Sequence, residues 1–285
     1  MSSHAIREPG GAGKRPRWLQ HSDLALRGIS LGYIGLFVAL PIVALTTRAC
    51  GGGLHRVWEE MTRPEALFSL RLTLMMAAAM MIINVLMGTL TAWVLVRYRF
   101  PAQSVVNALI DLPFAIPTVV TGLMLVVLYG PQSSIGTFLS AHGVEVIYAK
   151  PGIVLALLFV TSPFVVRAVQ PVLMELDRDM EEAAATLGAR RWTVFRKVIL
   201  PSIFPAVLTG AALSFSRALG EFGSVVMVAG NIPMRTQVAS VFIYGEVESD
   251  NPLGALGVSV ILLAGSLIVL IALNLLQRLG RKRDE

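Results

Sequence analysis

Glu182-Ala183-Ala184-Ala185-Thr186-Leu187-Gly188, followed at 198–201 by Val198-Ile199-Leu200-Pro201, fills a polar, arginine-rich interval between two long apolar runs. An interval of this kind is a loop on one face of a membrane, and its residues also fix its shape. From about Leu176 to Leu187 the composition favours helix: acidic residues come early, then Glu181, Glu182 and three alanines. Gly188 is placed to end that helix, because the residue after a C-cap often adopts a left-handed conformation that glycine enters without steric cost. A second helix is expected from Arg190 to about Leu200, with Trp192, Val194, Phe195, Val198 and Ile199 set against Arg190, Arg191, Arg196 and Lys197. Pro201 then marks a turn into the next span. Helix, glycine elbow, amphipathic helix and proline make a bent element at the membrane surface.

Outward from the elbow, the chain reads as a polytopic membrane protein. Of 285 residues, 55% are hydrophobic and 15% charged, against about 25% charged in a soluble domain. Six apolar spans are expected, at roughly 28–47, 69–96, 104–130, 151–170, 203–230 and 254–277, each near the roughly 20 residues a bilayer core requires. Continuous runs of this length are helices rather than barrel strands, since backbone groups in lipid must be satisfied within the segment. The fold class is therefore all-α. The first apolar run is too long for a secretory h-region, and Thr47-Arg48-Ala49-Cys50 puts an arginine where lipoprotein cleavage needs a small residue. It is expected to be an uncleaved first transmembrane helix.

Charge sets the orientation. Seventeen Lys and Arg fall on one side: Arg7, Lys14, Arg15, Arg17 and Arg27, then Arg97 and Arg99, then six between Arg167 and Lys197, then Arg278, Arg281, Lys282 and Arg283. Six fall on the other, and Arg217 lies inside a span. The positive-inside rule puts both termini and the elbow in the cytoplasm. The expected division is a tail at 1–27, a membrane domain at 28–278 with the elbow at about 171–201, and a tail at 279–285.

The same residues exclude several classes. The formal charge of +6 sits beside the spans, without the aromatic–basic interleaving of a nucleic-acid site. Cys50 is the only cysteine, so no internal disulfide forms, and His4, His21, His55 and His142 lack ligand spacing. There is no Walker A motif and no catalytic constellation, so the chain is not expected to be an enzyme or to bind a cofactor of its own.

Two readings of the elbow stand side by side. A basic interfacial helix lying on anionic lipid, with Trp192 as anchor, accounts for the arginines. A docking site for a partner protein also accounts for the acidic-alanine helix, its glycine, and Glu182, which anionic lipid would repel. The spaced pattern is similar to the EAA loop of bacterial ABC importer permeases: Glu-Ala-Ala, three residues, Gly, nine residues, an aliphatic, one residue, Leu-Pro, with Val198 in place of the usual Ile. That resemblance implies the type I importer permease fold. Glu182, Ala183, Ala184 and Gly188 would be the coupling residues, with Leu200 and Pro201 closing the pattern, and the elbow would sit in a groove on a cytoplasmic ATPase. The small alanines would allow close approach and Glu182 would supply a polar tether.

Inside the fifth span stands Arg217-Ala218-Leu219-Gly220-Glu221-Phe222-Gly223. Arg217 is about 14 residues, roughly 21 Å, from the expected cytoplasmic end, too deep to snorkel out. A charge there costs at least about 2.5 kcal/mol, so it faces the bundle interior or a watery cavity. Glu221, four residues on, is positioned to neutralise it. Two roles remain open: a self-satisfied pair holding helices together, or a station where the guanidinium's planar fork meets a passing oxyanion. Gly220 and Gly223 are expected to permit close backbone approach and to loosen the helix. This stretch is similar to permeases for sulfate and molybdate. Ile110-Asp111-Leu112-Pro113-Phe114, Leu128-Tyr129-Gly130-Pro131, Asn231-Ile232-Pro233-Met234-Arg235-Thr236 and Val247-Glu248-Ser249-Asp250-Asn251-Pro252 resemble the T-type sulfate/thiosulfate permease. Asp111 is read as interfacial and hydrogen-bonded, with gating as the alternative, and Asn84 as an interhelical hydrogen bond. Pro113, Pro117, Pro163 and Pro205 are expected to kink their spans, and Gly28 and Gly32 form a GxxxG pair best read as ordinary packing.

Importing a dianion against 100 mV costs about 4.6 kcal/mol, and a hundredfold gradient adds about 2.7 kcal/mol. The resemblance supplies the driver. ATP with Mg would be used by two ATPase subunits, a second permease subunit would complete the pathway, and an extracytoplasmic sulfate-binding protein would deliver substrate. Membrane lipid surrounds the chain. The rival is a proton-driven secondary transporter, which would rely on Glu221 and Asp111 as its relay.

Overall fold

The structure is a computed structural model describing residues 17–51 and 53–281. The expectations for the rest of the tails, including Arg7, Lys14, Arg15, Lys282 and Arg283, lie outside the described residues. Every described element is helical.

The chain enters through α1 (Arg17–Ile34), one π-helical turn (Gly35–Ala39) and α2 (Leu40–Gly51), which together carry the first membrane-crossing stretch, Leu26–Arg48. This stretch is exposed along its length, and α2 leans on the last helix. Gly28 and Gly32 face open space, with no heavy atom within 4 Å of where a Cβ would stand. α3 (Leu54–Met61) is a short surface helix. The long α4 (Pro64–Arg97) begins with Pro64, whose missing donor is harmless in a first turn.

The third span departs from expectation. Instead of one helix over 104–130, α5 (Gln103–Ala115) and α6 (Thr118–Tyr129) meet at 113°. The break falls at Ile116-Pro117, where Pro117 forces the preceding residue out of helical geometry; Ile116 is extended at φ −86°, ψ 129°. Pro113, by contrast, is carried inside α5. α7 (Ser134–Ala141) is a short helix capped by the Ser133 hydroxyl. α8 (Lys150–Glu175) spans despite Pro163 and Pro171.

The elbow follows as α9 (Arg178–Thr186), α10 (Arg191–Val194) and a π-helical turn (Phe195–Ile199) that runs without interruption into α11 (Leu200–Leu219). No turn forms at Pro201. The widened π turn just before it accommodates a residue lacking an amide hydrogen, and Arg191–Leu219 becomes one membrane-crossing rod. The rod stops short of the expected 203–230 span. It ends at Leu219, and after a break at 220–222 the short α12 (Gly223–Ala229) begins. α13 (Ala239–Glu248) and α14 (Pro252–Arg281) complete the chain. Among the described residues five helical stretches are long and apolar enough to cross a membrane, six if the bent α5–α6 pair is one span.

The core is the packing of α4, α8 and α11. Small residues set their spacing: a Cβ on Gly88 would stand 2.8 Å from Val165 Cβ, and one on Gly210 would stand 2.7 Å from the Val165 backbone. Buried Asn84 on α4 donates to the Thr161 carbonyl of α8 at 2.8 Å, the interhelical bond its sequence position suggested. At the end of the bundle away from the elbow, Arg63 binds Glu60 at 3.0 Å and Glu246 at 3.4 Å, while Asn251 donates to Glu60 at 3.0 Å and to Glu246 at 2.6 Å.

Candidate coupling elbow and intramembrane ion pairs

Asp177 starts α9 as its N-cap, its carboxylate accepting from the Asp179 amide at 3.0 Å. Gly188 ends it as expected, at φ +77°. The Gly188 amide donates to the Ala185 carbonyl and the Ala189 amide to the Ala184 carbonyl, the crossed pair of bonds that a left-handed C′ residue makes possible. The helix is amphipathic in a specific way. Ala184 and Ala189 pack on the apolar cluster of α4, α8 and α11, while Glu182, Ala183 and Gly188 face outward. Leu187, at the tip, is 89% exposed. Leu200 packs on the same cluster, and Pro201 is exposed at the start of α11. The residues named from the sequence thus share the elbow, but Leu200 and Pro201 belong to its root, Ala184 packs inward, and Glu182, Ala183 and Gly188 form its surface.

What anchors the elbow was not legible in its own pattern. Glu181, the residue before the motif glutamate, pairs with Arg97 at the last turn of α4. The two side chains are 23% and 9% exposed, so most of their hydration is gone. The Arg97 guanidinium carbon lies 5.5 Å from the centre of the Trp93 ring. Trp93 meets Phe195 edge-on at 5.7 Å, and Phe195 stacks on Trp192 at 5.5 Å. The chain Glu181–Arg97–Trp93–Phe195–Trp192 ties both arms of the elbow to the second span. A signal existed in the sequence: Arg97 and Trp93 are one turn apart at a span end. Nothing there said which acid Arg97 would meet.

Deeper in, Arg217 and Glu221 form the expected pair at 2.7 Å, although Glu221 lies beyond the end of α11 in the 220–222 break. Glu221 is almost fully buried and has further partners. Its Oε1 accepts from the Ser224 amide at 2.9 Å and the Ser224 hydroxyl at 2.8 Å, and its backbone carbonyl accepts from the Ser240 hydroxyl. The carboxylate therefore does two jobs, countering Arg217 and capping the N-terminus of α12. The Arg217 side chain is partly exposed, on the partly exposed side of α11. The two glycines divide. A Cβ on Gly223 would collide with Thr118 Oγ1 on the third span, so close approach is real there, whereas Gly220 has no heavy atom near its Cβ position.

A second ion pair joins α8 to α5. Arg167 grips Asp111 with two bonds, Nε to Oδ1 at 2.7 Å and Nη2 to Oδ2 at 2.6 Å, and adds Gln170 Oε1, Asn107 Oδ1 and the Asn107 carbonyl. Asp111 was expected to be interfacial and hydrogen-bonded, and the hydrogen bonds are present. Arg167, counted from the sequence only as a cytoplasm-side charge, is its partner. Among the described residues no group of three or more His, Cys, Asp or Glu is arranged to hold a metal ion.

Broken helices inside the bundle and a capped, bent elbow at one end define the class: a multi-pass, all-helical membrane protein with a transporter's architecture. The family model for the "Binding-protein-dependent transport system inner membrane component" matches residues 84–284, and the chain belongs to that family. Its relatives include the sulfate transport system permease protein CysT of Escherichia coli K12, 43% identical over 90% of this chain and 92% of that one. The protein of the same name from Synechocystis sp. is 42% identical over 89% of each chain. A solved bacterial ABC transporter involved in import of the acidic polysaccharide alginate superposes with a TM-score of 0.74 at 17% identity, covering 92% of this chain and 95% of that one. The fold is that of type I ABC importer permeases. The chain is a transport subunit rather than an enzyme, and family membership sets aside the proton-driven alternative.

Proposed function

We propose that this chain is the T-type membrane subunit of an importer for sulfate and thiosulfate. The observation that carries the reading is identity of 42–43% sustained over nine-tenths of the chain with permeases named for sulfate transport. Alternation is driven by two ATPase subunits that hydrolyse ATP with Mg, a second permease subunit completes the pathway, and an extracytoplasmic sulfate-binding protein delivers the anion. Both termini and the elbow face the cytoplasm, which the excess of Lys and Arg on that side supports.

The elbow fits this work. Glu182, Ala183 and Gly188 face outward on a rigid, capped helix, and Leu187 adds an apolar knob that the sequence motif alone did not single out. When the ATPases close, a push on α9 passes through the Glu181–Arg97 pair to α4, and through the unbroken rod from Arg191 to Leu219 towards Arg217. Arg217, its side chain partly exposed, offers its guanidinium to the dianion while Glu221 keeps it oriented, and the breaks at 116–117 and 220–222 give the pathway helices places to bend. Molybdate is the second reading, supported by the likeness of the 217–223 stretch to molybdate permeases.

The test is uptake of labelled sulfate in a bacterium lacking its own importer and expressing this chain with its neighbouring permease, ATPase and binding-protein genes. Uptake lost on omission of this chain, and competed more strongly by thiosulfate than by molybdate, supports the reading. An assembled complex that hydrolyses ATP yet takes up no sulfate refutes it.

A further inference from the structure

The Arg167–Asp111 pair is in an unusual place. Asp111 is eight residues along α5 from Gln103, and Arg167 is eight residues from the end of α8 at Glu175. Each therefore lies about 12 Å into the bundle from the elbow end, while Arg217, seventeen residues along α11 from Leu200, lies roughly 25 Å in. Yet the Asp111 side chain is 51% exposed and that of Arg167 is 32% exposed. An ion pair so open at this depth is too costly against lipid, so its open side borders water or a polar neighbour. α5 also packs by one face only. It has no buried residue, it begins at Ala102 in a left-handed conformation (φ 64°), and it ends at the 113° break. Beyond that break, α6 is fixed, with Gly122 pressed against Ser224 and Met227 of α12. Besides the Arg167 cluster, half-buried Val106 and Ile110 of α5 pack on the apolar cluster of α4, α8 and α11, and Phe114 meets Phe164 edge-on.

We infer that Arg167 is a second oxyanion station, on the elbow side of Arg217, and that Asp111 is its tethered stopper. The carboxylate occupies the two-donor fork that a tetrahedral dianion would take. Gln170, one turn along α8 itself, holds Nη1 at 2.6 Å, so the guanidinium keeps a partner when α5 swings about Ala102 and Ile116-Pro117 and carries Asn107 away with Asp111. With Asp111 moved away, Arg167 accepts an anion released from Arg217. With Asp111 back, the negative carboxylate expels the anion towards the elbow end and bars its return. The inference rests on the oxyanion-importer reading above.

The test is equilibrium binding of labelled sulfate to the purified permease–ATPase complex, beside uptake in proteoliposomes. Removing the stopper's charge (Asp111→Asn) raises sulfate affinity several-fold and lets sulfate leak without ATP. Removing the fork (Arg167→Gln) lowers affinity by about tenfold, the loss of one charge-assisted bond. Arg167→Lys, which keeps the charge without the fork, falls between and guards against misfolding. Shifts of opposite sign from the two sides of one ion pair are the signature. Affinity shifts of the same sign, or equal losses of thermal stability with no affinity change, would show a fastener between subunits and overturn the inference. Uptake by the unmodified complex reports separately on the reading beneath it; if molybdate rather than sulfate is transported, the same criterion applies with molybdate.

Discussion

Cutting the strut between the elbow and the second span is the sharpest perturbation the structure offers. In Glu181→Ala, Arg97 keeps its place at the end of α4, 9% exposed, with its counter-ion gone and its Nε already without an acceptor among the described residues. Breaking a fully buried pair costs about 3–5 kcal/mol. Glu181 retains 23% exposure, so water can partly replace it, and the lower end, about 3 kcal/mol, is the better figure. The Trp93 ring faces the guanidinium with or without Glu181, so it cancels in the difference. A loss of about 3 kcal/mol shifts the balance between anchored and released elbow by roughly 150-fold. Because Ala184 still packs on the core, the chain folds and the ATPases still bind. The expected phenotype is loss of coupling: substrate moved per ATP hydrolysed falls at least several-fold in proteoliposomes while hydrolysis continues. Arg97→Ala gives the same defect, and the double variant is no worse than either single one. An unchanged transport-to-ATP ratio in Glu181→Ala, or defects that simply add in the double variant, would refute the strut.

Gly188→Ala places a Cβ at φ +77°, which costs about 1–2 kcal/mol in backbone strain but meets no neighbour, so uptake falls while assembly is kept; co-purification of the ATPase checks the second half. Asn84→Ala removes the bond to the Thr161 carbonyl and lowers the stability of the detergent-solubilised protein by about 0.6–1.7 kcal/mol, measured by thermal unfolding. At the end away from the elbow, hydrogen bonds from Asn251 and then from Arg63 hold the Glu60 carboxyl below its usual range. A depressed carboxyl stabilises the fold above its unfolded pKa of about 4.3 and loses that contribution as pH falls through the still lower folded value. The melting temperature should therefore drop below about pH 4, and Glu60→Gln should flatten that drop.

Much of this protein is written in local sequence. Apolar run length makes membrane helices because the bilayer leaves backbone groups no other partner, and the left-handed Gly188 follows from what can end an alanine-rich helix. The Arg217–Glu221 pair needed only four-residue spacing and the cost of an isolated charge in lipid. Local rules misjudged the prolines. Pro201 was expected to turn the chain, but a π turn upstream absorbs it, whereas Pro117 breaks a span outright. The fifth span is cut at Leu219 because Glu221 caps a new helix through Ser224 and Gly223 must clear Thr118, contacts made only when distant segments meet. Tertiary structure alone decided that Glu181 finds Arg97 and that Asp111 finds Arg167. A charge in a span announces its need for a partner, but the partner is selected by which helix faces pack together, and residues 84 and 56 positions apart carry no trace of that choice in either neighbourhood.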